Sequence, residues 1–307
     1  MPNVEGAIEA VDETLREAVE VRPMRNDDLE PAELASARLF FEADQISRKV
    51  CDPEIQPRST DGSKQWIKRM RHFLTVDPDG CWVAVDGDDI VGFAISQNRG
   101  RLWFLATYGV ATERQGMGTG KRLIDAVLAH ADGRRCMLSS TVHPGATRRY
   151  RLAGFSLYPQ MRMVGTVDRS TLRTVTGLRE GREADLDWIE QLDEALRGAG
   201  HGPDHAYMLD TMRLVVSPKP DKPGYVYIDG RGRAALLAAA HPETAQDLLW
   251  EALAASDGET LVNCITTANQ WAVDVGLAAR LSIAQEGYLA VRGMTDPAPY
   301  LASGQFL

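Results

Sequence analysis

The sequence feature that most constrains the fold is a short glycine-rich turn between an apolar segment and an amphipathic segment. The turn, Gln115–Gly120, has the sequence QGMGTG; it follows the apolar run LWFLATYGVA and leads into TGKRLIDAVLAHA. Because glycine lacks a Cβ, such a turn can bring backbone N–H groups close to a ligand. A helix that begins there adds unpaired donors and a partial positive charge. The pattern predicts a buried strand, an anion-binding turn and a helix, in that order.

Positive charge is concentrated around this turn in an otherwise acidic protein. The chain has 307 residues and a formal net charge of −9, yet positions 114 to 162 carry nine Lys/Arg and only two acidic residues. Lys121 and Arg122 lie at the rim of the turn. The local excess indicates a phosphorylated ligand, although a solvated basic face would give the same pattern. The overall negative charge disfavours nucleic acid as the main partner.

Two other nucleotide-binding turns fit these residues less well. A dinucleotide-binding unit would open its domain and carry an acidic residue about 20 positions further on, whereas this turn follows at least three expected strands. A Walker A motif needs Ser or Thr after its Gly-Lys pair, and here Arg122 follows Gly120-Lys121. Neither alternative explains the turn.

The first half reads as a mixed α/β fold. The expected elements include a strand at 21–24, helices at 29–44 and 63–74, two strands around Asp86–Asp89, the strand and helix that flank the turn, a strand at RRCMLSSTV, a short helix at 145–152 and a strand pair over 154–166. This order, β-α-α-β-β-β-α-β-α-β-β, predicts one mixed sheet with helices packed on it.

With its glycines in that place, the turn resembles the Q/R-x-x-G-x-G/A motif of the GNAT superfamily of N-acetyltransferases. Gln115, Gly118 and Gly120 match the motif in register. The resemblance implies that the turn binds the pyrophosphate of acetyl-CoA, and that the preceding strand splays from its neighbour and pairs with the pantetheine arm. The implied cofactor-binding residues are Tyr108, Gly109, Val110, Gln115, Gly116, Met117, Gly118, Thr119, Gly120, Lys121 and His143.

A second GNAT motif, N-x-x-A-x-x-L-Y-x-x-x-G-F, resembles the segment 143–155. The matching residues are Ala146, Tyr150, Gly154 and Phe155, whereas His143 replaces the usual Asn and Arg149 the usual apolar residue. The resemblance makes Tyr150 the catalytic residue that hydrogen-bonds to the leaving sulfur. Because a thiol has a pKa of about 8.5 and a phenol of about 10, hydrogen bonding matters as much as full proton transfer.

The general base is left open by the sequence. Family members often carry a Glu on the strand near 103–105, and this chain has none there. His143 is one alternative, since an unperturbed imidazole has a pKa of about 6.5. Glu42, Asp44 and His72 on the first two helices are others, and a chain of water molecules is a further one.

The second half repeats the element order of the first but lacks part of its chemistry. Thr244-Ala245-Gln246 occupies the place of the glycine-rich turn, and Gly276 stands where the second motif has Tyr, although Asn269 and Ala272 keep the motif's spacing. Two tandem GNAT domains are therefore expected. The expected boundaries are 1–20 for an N-terminal extension, 21–170 for the acetyl-CoA-binding catalytic domain and 171–307 for a degenerate GNAT-like domain.

The remaining features favour a cytoplasmic protein without a bound metal. The sequence has no apolar run long enough to span a membrane, its first 20 residues are acidic and lack the pattern of a secretory signal, and its four cysteines form no C-x-x-C pair. His201 and His205 flank Gly202-Pro203, which predicts a loop more than a metal-binding face.

The resemblance implies direct transfer of an acetyl group from acetyl-CoA to an amine, with the N–H of Val110 stabilising the oxyanion. Residues 171–307 carry a net charge of −8, which favours a cationic small-molecule amine as acceptor. No nucleic-acid or membrane partner is expected, and the chain is expected to be a monomer with an internal pseudo-dimer, or a homodimer. The alternative function is a non-catalytic acyl-CoA-binding sensor or interaction module.

Overall fold

The computed structural model describes residues 19–48 and 54–307, and these form two compact units. The first unit contains the described residues up to Asn98 together with Leu105–Gly133, and the second contains Arg99–Phe104 and Arg134–Leu307. The units follow spatial contacts and do not coincide with the two sequence copies, so the domain boundaries stay a prediction. The expected N-terminal extension, residues 1–20, lies outside the described residues, except for Val19 and Glu20, which begin the first strand.

The first unit combines a sheet with three helices among its described residues. Its elements are β1 (Val19–Pro23), α1 (Leu29–Ser47), α2 (Thr60–Val76), β2 (Cys81–Asp86), β3 (Asp89–Arg99), β4 (Leu102–Val110) and α3 (Thr119–Ala131). The last residue of β3 and the first three of β4 are counted with the second unit. The strand order is β1-β2-β3-β4. β2 pairs antiparallel with both β1 and β3, and places Ala84 opposite Val21 and Gly92. The strand-turn-helix arrangement expected around Gln115–Gly120 is confirmed.

Local sequence explains where the helices of this unit begin and which face they bury. α2 begins at Thr60, three residues before the expected start, because the Ser59 hydroxyl accepts a hydrogen bond from the Gly62 N–H at 3.1 Å. Its buried residues are Trp66, Met70, Phe73 and Leu74, which share one face at helical spacing. α3 likewise buries Leu123, Ile124, Val127 and Ala131.

The second unit holds the remaining elements. They are β5 (Arg135–Ser140), α4 (Pro144–Leu152), β6 (Ser156–Thr166), β7 (Arg179–Glu180), α5 (Leu186–Arg197), α6 (Asp204–Thr211), β8 (Arg213–Ser217), β9 (Gly224–Ile228), β10 (Ala234–Ala239), α7 (Pro242–Ala255), β11 (Glu259–Ile265), α8 (Gln270–Ala278), β12 (Ser282–Arg292) and β13 (Tyr300–Leu301). Within this unit the strand orders are β5-β12-β6-β11 and β13-β10-β9-β8-β7.

The two sequence copies exchange strands within this unit. β12, from the second copy, lies between β5 and β6 of the first; its Leu289 is opposite Ser139 on one side and Tyr158 on the other. β6 in turn lies between β12 and β11. The expected strand pair over 154–166 is wrong: this segment is one strand of 11 residues, because its partners come from more than 90 residues further along the chain.

One apolar core supports the second sheet of this unit. α7 buries Leu248, Leu249, Trp250 and Leu253 against residues of β9, β10, β11 and α8. α7 begins at Pro242, directly after His241, with no glycine between strand and helix. Among the described residues, no helix combines the length and the apolar character needed to cross a membrane.

Candidate functional site

The glycine-rich turn of the first unit leaves open space at the start of a helix. Gly116 and Gly118 have φ values of 79° and 88°, and a Cβ placed on either would meet no heavy atom within 4 Å. Gly118 is the N-cap of α3, where no side chain caps the helix, and the first turn of α3 carries no acidic residue. The first N–H groups of a helix have no partner within it. This end of α3 therefore offers donors, partial positive charge and room for an anion.

Gln115 fastens the turn to the end of β4. Its side-chain Nε2 donates a hydrogen bond to the Val110 carbonyl at 3.0 Å. The backbone N–H of the adjoining Ala111 donates to the Val91 carbonyl of β3 at 2.9 Å. The motif glutamine is thus a brace across the turn, and it holds the glycines in register with the strand that precedes them.

Tyr108 packs over the first turn of α3, which explains the last glycine of the motif. A Cβ on Gly120 would collide with the Tyr108 hydroxyl, and a Cβ on Gly109 would come within 2.9 Å of Leu39 on α1. Both glycines therefore permit a close approach of neighbouring elements. Tyr108, Gly109 and the turn meet as the sequence suggested, within a single unit.

The basic residues near the turn are largely engaged with the protein itself. Lys121 pairs with Asp125 one helical turn away, and both side chains are exposed. Arg114 pairs with Asp86, and Arg122 donates to the Val19 carbonyl at 2.6 Å. The local charge excess that suggested a phosphorylated ligand is thus partly neutralised, which leaves the backbone N–H groups of the turn and of α3 as the main candidates for contact with an anion.

His143 and Tyr150 lie on α4 in the second unit. His143 is the N-cap of α4, and its Nδ1 accepts a hydrogen bond from the Ala146 N–H at 3.3 Å. Accepting at Nδ1 puts the proton of a neutral imidazole on Nε2, so neither nitrogen is a free base while the cap is formed. Tyr150 is only 4% exposed. Its ring packs edge-on against Phe155, with 6.2 Å between centroids.

The structure does not single out a general base among the described residues. Leu102–Leu105 are all apolar and buried. Glu42 on α1 accepts a hydrogen bond from the Thr112 hydroxyl at 3.0 Å, which ties its carboxylate to the segment that follows β4. His72 packs beside Phe73, with 5.7 Å between ring centroids. The base therefore stays open, as it was in the sequence.

A second group of chemically active side chains, which sequence reasoning missed, is buried in the second unit. Asp193, His201 and His205 place potential ligand atoms within 4.8 Å of one another. The short spacing His201-x-x-x-His205 is the available signal. The expected loop is present at His201 and Gly202-Pro203, whereas His205 lies in α6. Nothing in the sequence indicated their burial, yet both side chains are at most 1% exposed.

Hydrogen bonds within the protein account for the positions of these side chains. His201 Nδ1 lies 2.7 Å from Asp193 Oδ2, and the Tyr225 hydroxyl donates to Asp193 Oδ1 at 2.7 Å. His205 lies 2.9 Å from the Tyr227 hydroxyl and 2.8 Å from Glu190. Burial raises the pKa of Asp193 to about 7, against the opposing charge of Arg197. The group has the properties of a buried polar network.

Taken together, the strand-helix-helix-sheet order, its repetition and the open glycine turn define a protein built from two tandem copies of the acyl-CoA N-acyltransferase fold. Residues 44–155 match the model of the acetyltransferase (GNAT) family. This part of the chain is accordingly a domain of the GNAT acetyltransferase family, whose members in general use acetyl-CoA. No curated protein matches the sequence.

Solved structures share this fold over most of the chain. A candidate acetyltransferase from Pyrococcus horikoshii is 18% identical, with a TM-score of 0.72 over 93% of this chain and 94% of its own. A GCN5-related N-acetyltransferase from Kribbella flavida is 17% identical, with a TM-score of 0.57 over 89% of this chain and 70% of its own. A tandem GNAT protein from the clavulanic acid biosynthesis pathway is 14% identical, with a TM-score of 0.53 over 91% of this chain and all of its own. At these identities the likeness establishes the fold.

Proposed function

We propose that the first copy is an N-acetyltransferase that transfers the acetyl group of acetyl-CoA to a small-molecule amine. The observation that carries the proposal is the open turn at the start of α3, with Gly116 and Gly118 at positive φ and no heavy atom within 4 Å of either Cβ position. A helix N-terminus beside open space, without an acidic residue in its first turn, suits the diphosphate of CoA. The braced Gln115 supports this geometry.

The proposed reaction is a direct attack on the thioester. A neutral amine forms a C–N bond to the acetyl carbon, the C–S bond breaks, and CoA leaves as a thiolate that takes up a proton. We assign the Val110 N–H to the oxyanion and the Tyr150 hydroxyl to the leaving sulfur. Tyr150 suits this role because its phenol is held in a buried, aromatic setting.

We further propose a cationic acceptor. Residues 171–307 carry a net charge of −8, whereas residues 1–170 carry −1. A negative field raises the local concentration of polyamines, aminoglycosides or other amines that are protonated in solution. The attacking amine must still lose a proton before it reacts, so the acceptor would need at least one amine that deprotonates near neutral pH.

The test is release of free CoA thiol from acetyl-CoA in the presence of a panel of amines: polyamines, aminoglycosides and amino acids. We expect turnover with at least one cationic amine. In Tyr150→Phe, kcat should fall by roughly a hundredfold or more while the affinity for CoA is kept, since general acid catalysis contributes on the order of 10²–10⁴ in rate. Tyr158→Phe, a tyrosine on β6 outside the motif, is the matched control and should keep full activity.

A non-catalytic acyl-CoA sensor is the second candidate. The observation in its favour is the apolar start of β4, where family members often carry a carboxylate and this chain has Leu102–Leu105. The sensor predicts CoA binding, with an affinity unchanged in Tyr150→Phe, but no thiol release for any amine in the panel. That result would support the sensor and exclude the enzyme.

A further inference from the structure

The segment 297–307 lies along an edge of β10 that the rest of the second sheet leaves open. β13, within this segment, pairs antiparallel with β10: Leu301 is opposite Leu237, and Tyr300 is opposite Ala238. The Ala239 N–H also donates to the Pro299 carbonyl at 3.2 Å. On its other side β10 pairs with β9. β10 immediately precedes α7, as β4 precedes α3, so it is the counterpart of the strand that precedes the glycine turn.

β10 has no pairing with the strand that follows it in sequence. β11 belongs to the other strand set of this unit, beside β6, so β10 and β11 diverge and β13 lies next to both. In the first copy, we place the pantetheine arm beside the end of β4, the counterpart of β10. In the second copy, the chain's own backbone occupies that position and supplies its peptide groups to β10.

Asn269 confirms the correspondence from the opposite side. It follows β11 and stands at the Asn position of the second GNAT motif. Its Nδ2 donates to the Pro297 carbonyl at 3.0 Å, and its Oδ1 accepts from the Tyr300 N–H at 2.9 Å. Trp271 Nε1 donates to the same Oδ1 at 3.0 Å. The hydrogen-bonding groups of the Asn269 side chain are thus taken up by the segment 297–307 and by Trp271 of the helix that follows.

Most of the segment is buried, and Ala298, Gly304 and Gln305 are exposed. Tyr300, Leu301, Phe306 and Leu307 are each at most 2% exposed. The Tyr300 hydroxyl lies 3.5 Å from His201 Nε2, and the Arg197 guanidinium donates to the Leu307 carbonyl. Burial and paired polar groups of this kind are typical of a core element.

We propose that residues 297–307 are a resident peptide that replaces pantetheine in the second copy and closes its acyl-CoA slot. That the replaced group is pantetheine rests on the proposed function, whereas the position of the segment along β10 does not. The chain therefore has one acyl-CoA site, in the first copy. The second copy is a structural domain whose former ligand slot has become part of its core.

The experiment combines calorimetry with hydrogen exchange on the full-length protein, using CoA as the probe. We expect one CoA per chain and slow exchange of the amides in 234–239 and 297–301, equal with and without CoA. Two CoA per chain, rapid exchange of 297–301 in the free protein, or faster exchange there on adding CoA would each overturn the inference. Absence of any CoA binding would contradict the proposed function. The rate of amide exchange of residues 297–301 in the free protein would still test whether the segment 297–307 is a fixed part of the second copy.

A variant pair isolates the contact. Asn269→Ala removes both hydrogen bonds to the segment and should speed exchange of residues 297–301 by roughly tenfold or more, since each bond contributes about 1 kcal/mol. Asn263→Ala is the matched control: it lies on β11, and its Oδ1 has no hydrogen-bond partner among the described residues. Equal exchange in both variants would contradict the role of Asn269.

Discussion

Two glycines of the 115–120 turn, Gly118 and Gly120, are needed for different physical reasons. Gly118 has φ 88° and faces open space, so its value lies in its backbone conformation and in the room beside it. Gly120 instead makes room for the Tyr108 hydroxyl. The sequence shows the same letter at both positions, and only the surroundings distinguish them.

This difference leads to a prediction at Gly118. Gly118→Asp should weaken acetyl-CoA binding by at least about a hundredfold, because it places a carboxylate against the bound phosphates in addition to straining the backbone. Isothermal calorimetry measures the effect. Gly133→Asp is the matched control, since Gly133 also has positive φ, 72°, and no heavy atom within 4 Å, but lies beyond the other end of α3. If Gly118→Asp binds as the wild type does, the site is wrongly assigned.

At the scale of elements, the opening strand-turn-helix of each copy is built on the same ion pair. In the first copy Arg22 forms two bonds to Asp28 at 2.7 and 2.8 Å, and the Arg25 N–H donates to Asp28 at 2.6 Å. In the second, Arg179 and Arg182 repeat these bonds to Asp185 at 2.8, 2.6 and 3.0 Å. The spacing R-x-x-R-x-x-D-L is therefore a repeat signal more specific than element order.

A pH dependence follows from the second of these ion pairs. The hydrogen bond from Arg179, against some desolvation, lowers the pKa of Asp185 to about 2. A lowered pKa stabilises the fold above the unfolded value of about 4, and this contribution is lost as the pH falls through the folded value. Asp185→Asn should therefore cost about 1 kcal/mol near pH 6, discounted for the partly exposed guanidinium, and progressively less between pH 4 and pH 2.

Urea denaturation at several pH values measures this contribution. Asp187→Asn is the control, because Asp187 lies two residues further on in α5, is exposed and forms no ion pair among the described residues. A difference between wild type and Asp185→Asn that stays constant from pH 6 to pH 2 would contradict the prediction.

At the scale of the whole molecule, the exchange of β6 and β12 makes the two copies interdependent. β5 and β6 find their antiparallel partner in β12, and β6 and β12 are separated by more than 100 residues. Long-range pairing of this kind cannot form in a chain that ends before β11. The arrangement gives a physical basis for a tandem chain in which only the first copy keeps both GNAT motifs.

Separating the copies tests this dependence. Residues 1–170 expressed alone should be insoluble or unfold without cooperativity, since β5 and β6 expose unpaired strand edges. Coexpression with residues 171–307 should restore a soluble complex. Solubility and thermal melts followed by circular dichroism measure both outcomes, and cooperative folding of residues 1–170 alone would contradict the exchange.

The predictions that the structure confirms concern residues that lie close together in the sequence. The turn at Gln115–Gly120, the strand before it and the helix after it are encoded within about 25 residues, so their order and their site-forming glycines were readable. The absence of a glycine-rich turn before α7 could be predicted for the same reason. The start of α2 is three residues earlier than predicted, because Ser59 caps the helix.

The strand, glycine turn and helix around Gln115–Gly120 and the absence of such a turn before α7 thus follow from the amino-acid sequence alone, because helical spacing and glycine turns are local patterns. Tertiary structure alone decided that β12 lies between β5 and β6, that His201 and His205 are buried beside Asp193, and that residues 297–307 lie along β10. Pairing between distant segments is selected by the geometry of the folded chain, and it leaves no periodic pattern in either partner.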